Sequence, residues 1–252
     1  MFKMKDLTLF ERAHILAQLS KFSYQNKAKC SNGAESIRWT MTHFYDKNGA
    51  QAYRFQHLND VVFACRGTEP SEANDILADL KAWPVKAHSA GKVHFGFQSE
   101  VDELWELVKK DIRKSQIKGH NIYFTGHSLG AAMATIMASR CFASDESPDP
   151  VELHTFGSPR VGNKKYVNTF ETQHYRWVNN NDIVTRVPLF LMGYKHDGVE
   201  MYIDSKGKLH EGSMPWHKKL EEFLRSLVGK LDVIADHDIS DYCELIENLK
   251  KG

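Results

Sequence analysis

One short segment of the sequence has the spacing of a catalytic nucleophile: residues 126–130 read Gly-His-Ser-Leu-Gly. The segment follows an apolar run and precedes a stretch rich in alanine and methionine, so we predict that it turns a strand into a helix. In that setting the serine hydroxyl projects from a strained turn, and side chains in place of the two glycines would collide with the neighbouring strand and helix. Ser128 is therefore a candidate nucleophile, with backbone amides at the helix start available to stabilise an oxyanion.

A serine hydroxyl is a poor nucleophile without a base, so an acid and a histidine are expected later in the chain. Asp182 fits the acid, because an apolar run gives way there to three asparagines, as in a loop after a strand. A purely local turn made by this aspartate is the competing interpretation. Four histidines follow Asp182, and the residues alone do not choose among them: His196, His210, His217 and His237.

The periodicity of the apolar residues predicts alternating strands and helices around these candidates. A helix is expected over Leu9–Phe22, and two strands, 37–45 and 51–58, are expected on either side of an Asn-Gly turn. The middle of the chain alternates strand and helix, which implies parallel pairing and hence a mixed sheet with an antiparallel start. The other predicted elements are strands 61–65, 122–125, 151–156 and 175–178, helices around 101–112 and 128–141, a short helix near Tyr166, a hairpin over 200–210, a helical stripe over 220–228 and a terminal helix over 239–249.

The composition is that of a globular protein, and we expect one domain over residues 1–252. A net charge of +1 gives no electrostatic argument for nucleic-acid binding. No apolar run approaches about 20 residues and no signal-peptide pattern opens the chain, so we expect a cytoplasmic or secreted protein without a transmembrane segment. The four cysteines are widely spaced, which favours free thiols, and we expect neither a metal nor an organic cofactor.

Five blocks of the sequence occur in a recognisable order: Phe-Ala-Cys-Arg-Gly-Thr at 63–68, Val-His-Phe-Gly-Phe at 93–97, Gly-His-Ser-Leu-Gly at 126–130, Thr-Phe-Gly-Ser-Pro-Arg-Val-Gly at 155–162 and Asn-Asp-Ile-Val-Thr-Arg-Val-Pro at 181–188. These blocks resemble the class 3 lipases, the fungal-lipase-like branch of the α/β hydrolases, and the resemblance runs from about residue 13 to residue 242. It implies the α/β-hydrolase fold, with a central mixed, mostly parallel sheet flanked by helices and a short lid helix over about 71–83. That lid segment has only one modest apolar face, so the resemblance does not imply strong interfacial activation.

The same resemblance implies a role for each site residue. Asp182 becomes the acid of a Ser-His-Asp triad, and His237 becomes its histidine, because the family's catalytic histidine comes late and before a terminal helix. The side chain and amide of Thr68, together with the amide of Leu129, become the oxyanion donors. His94 is expected to support the site without taking part in the chemistry.

The implied function is hydrolysis of a carboxylic ester through an acyl-enzyme, by a triacylglycerol lipase or esterase. The substrate would then be a lipid or another ester, met at a lipid–water interface in the case of a lipase. Two alternatives within the enzymes are a phospholipase A1 and a feruloyl-type esterase, and an acyltransferase would use the same triad. An alternative of another class is a catalytically silent, lipase-like binding protein. The sequence does not predict the oligomeric state.

Overall fold

The strands form two sheets in a computed structural model that describes residues 2–67, 83–144, 149–169, 171–212 and 235–251. The larger sheet has eight strands in the order β1-β2-β3-β6-β7-β9-β11-β12, and the smaller has four in the order β10-β8-β5-β4. The strands are β1 (Thr40–Lys47), β2 (Ala50–His57), β3 (Asp60–Cys65), β4 (Pro84–Lys86), β5 (Lys92–His94), β6 (Asn121–His127), β7 (Glu152–Phe156), β8 (Gly162–Asn163), β9 (Gln173–Asn179), β10 (Tyr194–Lys195), β11 (Val199–Ile203) and β12 (Leu209–Glu211).

The larger sheet is parallel at its centre and antiparallel at its two ends. Strands β3, β6, β7, β9 and β11 pair in parallel. The pairs β1–β2, β2–β3 and β11–β12 are antiparallel. The predicted mixed, mostly parallel sheet with an antiparallel start is therefore confirmed.

Helices cover both faces of this sheet. On β3, the side chains of Phe63 and Cys65 enter the apolar cluster that also contains α3 and α4, while Val62 and Ala64 enter the cluster with α1, α2 and α6. This alternation is what a strand buried on both faces requires. The helices are α1 (Leu9–Phe22), α2 (Lys27–Ser36), α3 (Phe95–Ile117), α4 (Leu129–Phe142), α5 (Lys164–Val167) and α6 (Ile239–Lys251), with 3₁₀ turns at Met4–Asp6, Ile183–Arg186, Phe190–Met192 and Ala235–His237.

The predicted helix Leu9–Phe22 has the expected bounds because its first turn is capped reciprocally. The Thr8 hydroxyl accepts from the Glu11 amide, and the Glu11 carboxylate accepts from the Thr8 amide. The helix α2 was not predicted, since its sequence is mostly polar and contains Gly33. As a result, the first strand begins at Thr40 and not at the predicted residue 37.

The smaller sheet was also not predicted, because its strands are only two or three residues long and carry too little periodicity. The four cysteines are free and buried, as expected for Cys65. Within the described ranges, no helix is both long and apolar enough to cross a bilayer. The predicted lid segment up to residue 82 and the helical stripe at 220–228 lie outside the described residues.

Candidate active site

Ser128 lies on a tight turn between β6 and α4 and has a backbone conformation that non-glycine residues rarely adopt, with φ 57° and ψ −128°. The glycines on either side make this turn possible. A Cβ at Gly126 would lie 2.7 Å from the Ala131 nitrogen, and a Cβ at Gly130 would lie 2.8 Å from the Gly67 nitrogen and overlap the Cys65 carbonyl oxygen. The predicted steric need for both glycines is therefore confirmed.

The carboxyl ends of three neighbouring parallel strands bring the site together. Ser128 follows β6, and its amide donates to the carbonyl oxygen of Phe156 at the end of β7, over 3.1 Å. The amide of Gly157 donates to the carbonyl of Trp177 on β9 in the same way. Asp182 follows β9 on a short loop, so the acid reaches the same edge of the sheet as the serine.

Asp182 and His237 form a buried hydrogen-bonded pair. His237 Nδ1 lies 2.8 Å from Asp182 Oδ2, and the exposed fractions of the two residues are 2% and 0%. A carboxylate only accepts, so Nδ1 carries the proton, which leaves Nε2 of the neutral ring as a base. Among the described residues none hydrogen-bonds to His237 Nε2, so the structure forms the Asp–His contact but no Ser128–His237 hydrogen bond. Ser128 is itself 4% exposed.

Two further donors hold the Asp182 carboxylate. The Val184 amide donates to Oδ1 over 2.9 Å, and the Tyr242 hydroxyl donates to Oδ2 over 2.6 Å. Burial, and then the negative charge of Asp182, raise the pKa of Tyr242 far above its usual value, so this hydroxyl keeps its proton. The same hydroxyl accepts the Asn179 amide, so Tyr242 ties α6 to the end of β9. Tyr242 was not predicted as a site residue, because nothing in its neighbourhood along the chain distinguishes it from an apolar position of the terminal helix.

The segment that carries His237 is attached to the loop that carries Asp182. The Asp236 carboxylate accepts from the Asn181 amide and the Asn180 side chain, each over 3.1 Å. The Asn179 side chain donates to the Asp236 carbonyl. Burial raises the pKa of Asp236, with the charge of Asp182 acting in the same direction and the two asparagine hydrogen bonds opposing it. The three asparagines that predicted a loop thus also position the histidine.

Gly157 is a further residue that the sequence did not identify as part of the site. It has φ +57°, and a Cβ there would lie 2.6 Å from Asp182 Oδ2 and 2.8 Å from His237 Nδ1. The Asp–His pair therefore packs directly on the Gly157 backbone. Gly157 comes directly after β7, the strand next to the turn at residues 126–130 that carries Ser128 (the nucleophile elbow), and this position was the available signal in the sequence.

Of the two residues that the resemblance implies as oxyanion donors, Leu129 lies within the residues that the structure describes and Thr68 does not. Leu129 is the first residue of α4, where backbone amides have no acceptor within the helix. Gly67 lies beside the elbow, because a Cβ on it would approach the Gly130 nitrogen at 3.3 Å. Thr68, the next residue, lies outside the described residues.

The other candidate histidines are placed elsewhere. His196 Nε2 contacts the Thr185 carbonyl at 2.7 Å, and His210 Nε2 contacts Asp204 at 2.8 Å in the β11–β12 hairpin. The His94 ring lies against that of Phe97, with the ring centroids 4.3 Å apart and the planes tilted by 33°. His217 lies outside the described residues.

A second hydroxyl–imidazole–carboxylate series lies deeper in the sheet. His174 contacts Thr155 Oγ1 through Nε2 at 2.8 Å and Asp197 Oδ2 through Nδ1 at 2.9 Å. Thr155 is fully buried in β7 and cannot meet a substrate, so this series is structural. In the part of the chain that the structure describes, no group of three or more histidine, cysteine or acidic side chains could hold a metal ion.

Comparison with known proteins identifies the family of this chain. The sequence profile of the family Lipase (class 3) matches residues 62–192, just over half of the chain. The chain belongs to the class 3 lipase family. A lipase of Rhizopus niveus is 32% identical over 180 residues, which are 66% of this chain and 44% of that protein. A secreted mono- and diacylglycerol lipase of Fusarium solani is 36% identical over 118 residues, which are 44% of this chain and 34% of that protein.

The fold agrees with this family membership. The structure of Rhizomucor miehei triacylglyceride lipase superposes with a TM-score of 0.70 and 25% identity, covering 81% of this chain and 84% of that one. The predicted α/β-hydrolase fold is thereby confirmed. The matched part amounts to less than half the length of each of the two curated relatives named above. The profile match also ends before residue 237, so the position of His237 in the site is known from its contacts in the structure, above all the hydrogen bond to Asp182.

Proposed function

We propose that this class 3 lipase family member is a serine carboxylic ester hydrolase, with Ser128 as nucleophile, His237 as general base and Asp182 as its acid. The observation that carries the proposal is the buried His237–Asp182 hydrogen bond beside the strained Ser128 turn. A neutral imidazole with its Nδ1 proton bound to a carboxylate has the tautomer that a general base needs at Nε2.

The reaction follows from these roles. Nε2 of His237 takes the Ser128 proton as the serine oxygen attacks the ester carbonyl, and Asp182 stabilises the imidazolium that forms. The negative oxygen of the tetrahedral intermediate is bound by the Leu129 amide and by Thr68. The imidazolium then protonates the departing alcohol, and water, activated by the same histidine, releases the acid from the acyl-enzyme. A hydrogen bond from Ser128 to Nε2 must form when substrate binds, as is common for catalytic contacts that are absent in the free enzyme.

An exposed apolar loop supports a lipid ester as the substrate, met at a lipid–water interface. Leu189, Phe190, Leu191 and Met192 are each more than half exposed, and Leu191 is 90% exposed. Consecutive exposed apolar side chains of this kind mark a surface that contacts lipid or another partner. The loop begins at Leu189, separated by two residues from the 3₁₀ turn Ile183–Arg186 that follows Asp182, so it lies close to the site along the chain. The Arg160 guanidinium donates to the carbonyls of Arg186 and Pro188 and holds this connection in place.

The names of the relatives favour acylglycerols among lipid esters. A phospholipase A1 and a feruloyl-type esterase stay alternatives within the same chemistry, because they differ in the acyl pocket and not in the triad. A silent binding protein would have no need of an intact Asp–His pair.

The test is hydrolysis of p-nitrophenyl butyrate and p-nitrophenyl palmitate by the wild type and by four variants: Ser128→Ala, Asp182→Asn, His237→Ala and His196→Ala. We expect the first three to lose at least roughly a thousandfold in kcat, and His196→Ala to stay active. An active His237→Ala would refute the assignment of the base. A wild type that is inert on both esters, on acylglycerols and on phospholipids would refute the hydrolase and favour the binding protein.

A further inference from the structure

The second residue of the elbow segment, His127, has no part in the reaction proposed above, yet its ring lies against that of His237. The ring centroids are 4.4 Å apart and the planes are tilted by 34°. His127 Nε2 lies 2.6 Å from the backbone carbonyl oxygen of His237, and its Nδ1 lies 2.8 Å from the Tyr24 hydroxyl. A chain of two hydrogen bonds thus runs from the end of α1 to the backbone of the candidate base.

These contacts determine which nitrogen of His127 carries the proton. A carbonyl oxygen only accepts, so Nε2–H is the donor to His237. If the ring is neutral, Nδ1 accepts, and the Tyr24 hydroxyl donates to it over 2.8 Å in preference to the His127 carbonyl oxygen, which lies 3.3 Å from the same hydroxyl. Burial lowers the pKa of His127 well below its usual value, the charge of His237 acts in the same direction, and the hydrogen bond to the His237 carbonyl opposes both.

The groups around the ring agree with a neutral state. Among the described residues, the titratable groups in contact with it are Tyr24 just after α1, His237 on its 3₁₀ turn and Tyr242 on α6, whose ring centroid lies 6.0 Å away. The Asp182 carboxylate is hydrogen-bonded to both His237 and Tyr242. This carboxylate is therefore already paired with the other imidazole, which must become positively charged during catalysis.

We infer that Tyr24 and His127 form a neutral hydrogen-bonded bridge that positions the general base through the carbonyl oxygen of His237. The inference rests on the proposed role of His237. The bridge has two effects. It fixes the backbone of the residue whose ring must reach Ser128, and it places an uncharged ring, not a second cation, next to the imidazolium of the transition state. His127 and Tyr24 are positioning residues, since the hydrogen bonds of their side chains run to each other and to the backbone of His127 and His237, not to the side chain of Ser128 or Asp182.

The experiment measures kcat and KM separately on p-nitrophenyl butyrate for Tyr24→Phe, His127→Phe and His127→Gln. The first variant removes one hydroxyl, and the second keeps the ring shape without donor or acceptor. Gln at position 127 can restore a donor at the place of Nε2. We expect kcat to fall roughly 10- to 100-fold in the two Phe variants with KM nearly unchanged, and His127→Gln to recover most of the loss. Tyr53→Phe is the matched control, because it removes a hydroxyl that binds only a loop carbonyl, that of Gln25.

Two readouts separate positioning from packing. The acid side of the wild-type pH profile of log(kcat/KM) should have a slope of one, because a neutral His127 adds no second protonation. Nitrogen NMR of histidine-labelled protein should show His127 protonated at Nε2 and not at Nδ1 from pH 5.5 to 8. This second readout does not need activity, so it tests the bridge even if the proposed hydrolase function fails.

Several results would overturn the inference. Phe variants within twofold of the wild-type kcat would show that the bridge does not position the base. Equal losses in His127→Phe and His127→Gln would show that the ring only fills space. An acid slope of two that becomes one in His127→Gln, or an NMR signal of a doubly protonated His127 near pH 6, would show that the ring is charged when the base is.

Discussion

The contact between Gly157 and the Asp–His pair gives the sharpest mutational prediction, for the substitution Gly157→Ala. The added Cβ would lie 2.6 Å from Asp182 Oδ2 and 2.8 Å from His237 Nδ1, whereas ordinary contacts begin at 3.4 Å. The two groups would have to retreat by about 0.8 and 0.6 Å, so the Asp182–His237 pair cannot keep its present position relative to Ser128. A displacement of about 1 Å in a catalytic group can cost 10²-fold, and complete loss of the acid's contact costs about 10⁴-fold in a serine protease. We therefore expect kcat/KM to fall between about 10² and 10⁴-fold.

Backbone strain must be separated from this displacement, because alanine at φ +57° also costs about 1–2 kcal/mol of stability. Gly119→Ala provides the control. Gly119 has φ +69°, lies before β6 at the opposite end of the strand from Ser128, and would have no atom within 4 Å of a new Cβ. Both variants should lose about 1–2 kcal/mol of unfolding free energy to the backbone conformation, and Gly157→Ala should lose more because its Cβ also displaces buried groups. Only Gly157→Ala should lose hydrolysis of p-nitrophenyl butyrate in protein that is still folded. Activity of Gly157→Ala within about threefold of the wild type, in folded protein, would refute the reasoning from the Asp182–His237 contact.

Three further predictions follow from other contacts. Tyr242→Phe removes a hydrogen-bond donor to the buried Asp182 carboxylate, worth about 1.5–3 kcal/mol, so kcat/KM should fall roughly 10- to 100-fold. Tyr45→Phe removes a similar hydrogen bond from a tyrosine hydroxyl to Asp111, away from the site, and should lose stability but not activity. Equal activity in the two variants would contradict the prediction. Leu191→Ser should reduce hydrolysis of emulsified tributyrin several-fold and leave hydrolysis of soluble p-nitrophenyl butyrate unaffected. Ile117→Ser is the control, because Ile117 is 86% exposed against 90% for Leu191 and lies at the end of α3, near the start of β6; it should change neither activity. Parallel behaviour of the two variants would remove the argument for a lipid-facing loop. Burial lowers the pKa of both His154 and His196, so at these two sites the unfolded chain binds more protons than the folded one below about pH 6.5. The free energy of unfolding should therefore fall by up to about 1.4 kcal/mol per pH unit for each histidine as the pH drops to 5.5. Urea titrations of the wild type and of His196→Gln should show a shallower decline in the variant, and a stability that rises on acidification would refute the predicted sign.

The elements that follow one another along the chain could be predicted from their own residues. The helix Leu9–Phe22 has a capping box at its start, and the strand before Ser128 is a largely apolar run that leads into Gly126. The mixed sheet follows from these local patterns, because strands separated by helices must pair in parallel. The helix α2 and the smaller sheet could not be predicted in the same way, since polar composition and very short strands leave no periodic signal.

The residues of the candidate site also differ in whether local sequence or distant contacts determine their positions. Ser128 is recognisable because the constraints on it are local: a strained turn needs glycine at two fixed positions beside it. The choice among four histidines is not local, since it depends on which of them the folded chain brings to the carboxyl end of β9, next to Asp182. That return is decided by contacts between distant segments, in which Asp236 binds Asn180 and Asn181 and Tyr242 binds both Asn179 and Asp182. None of these contacts has a sequence pattern of its own. The three asparagines before Asp182 indicate a loop, but only the folded structure shows that the loop holds the histidine.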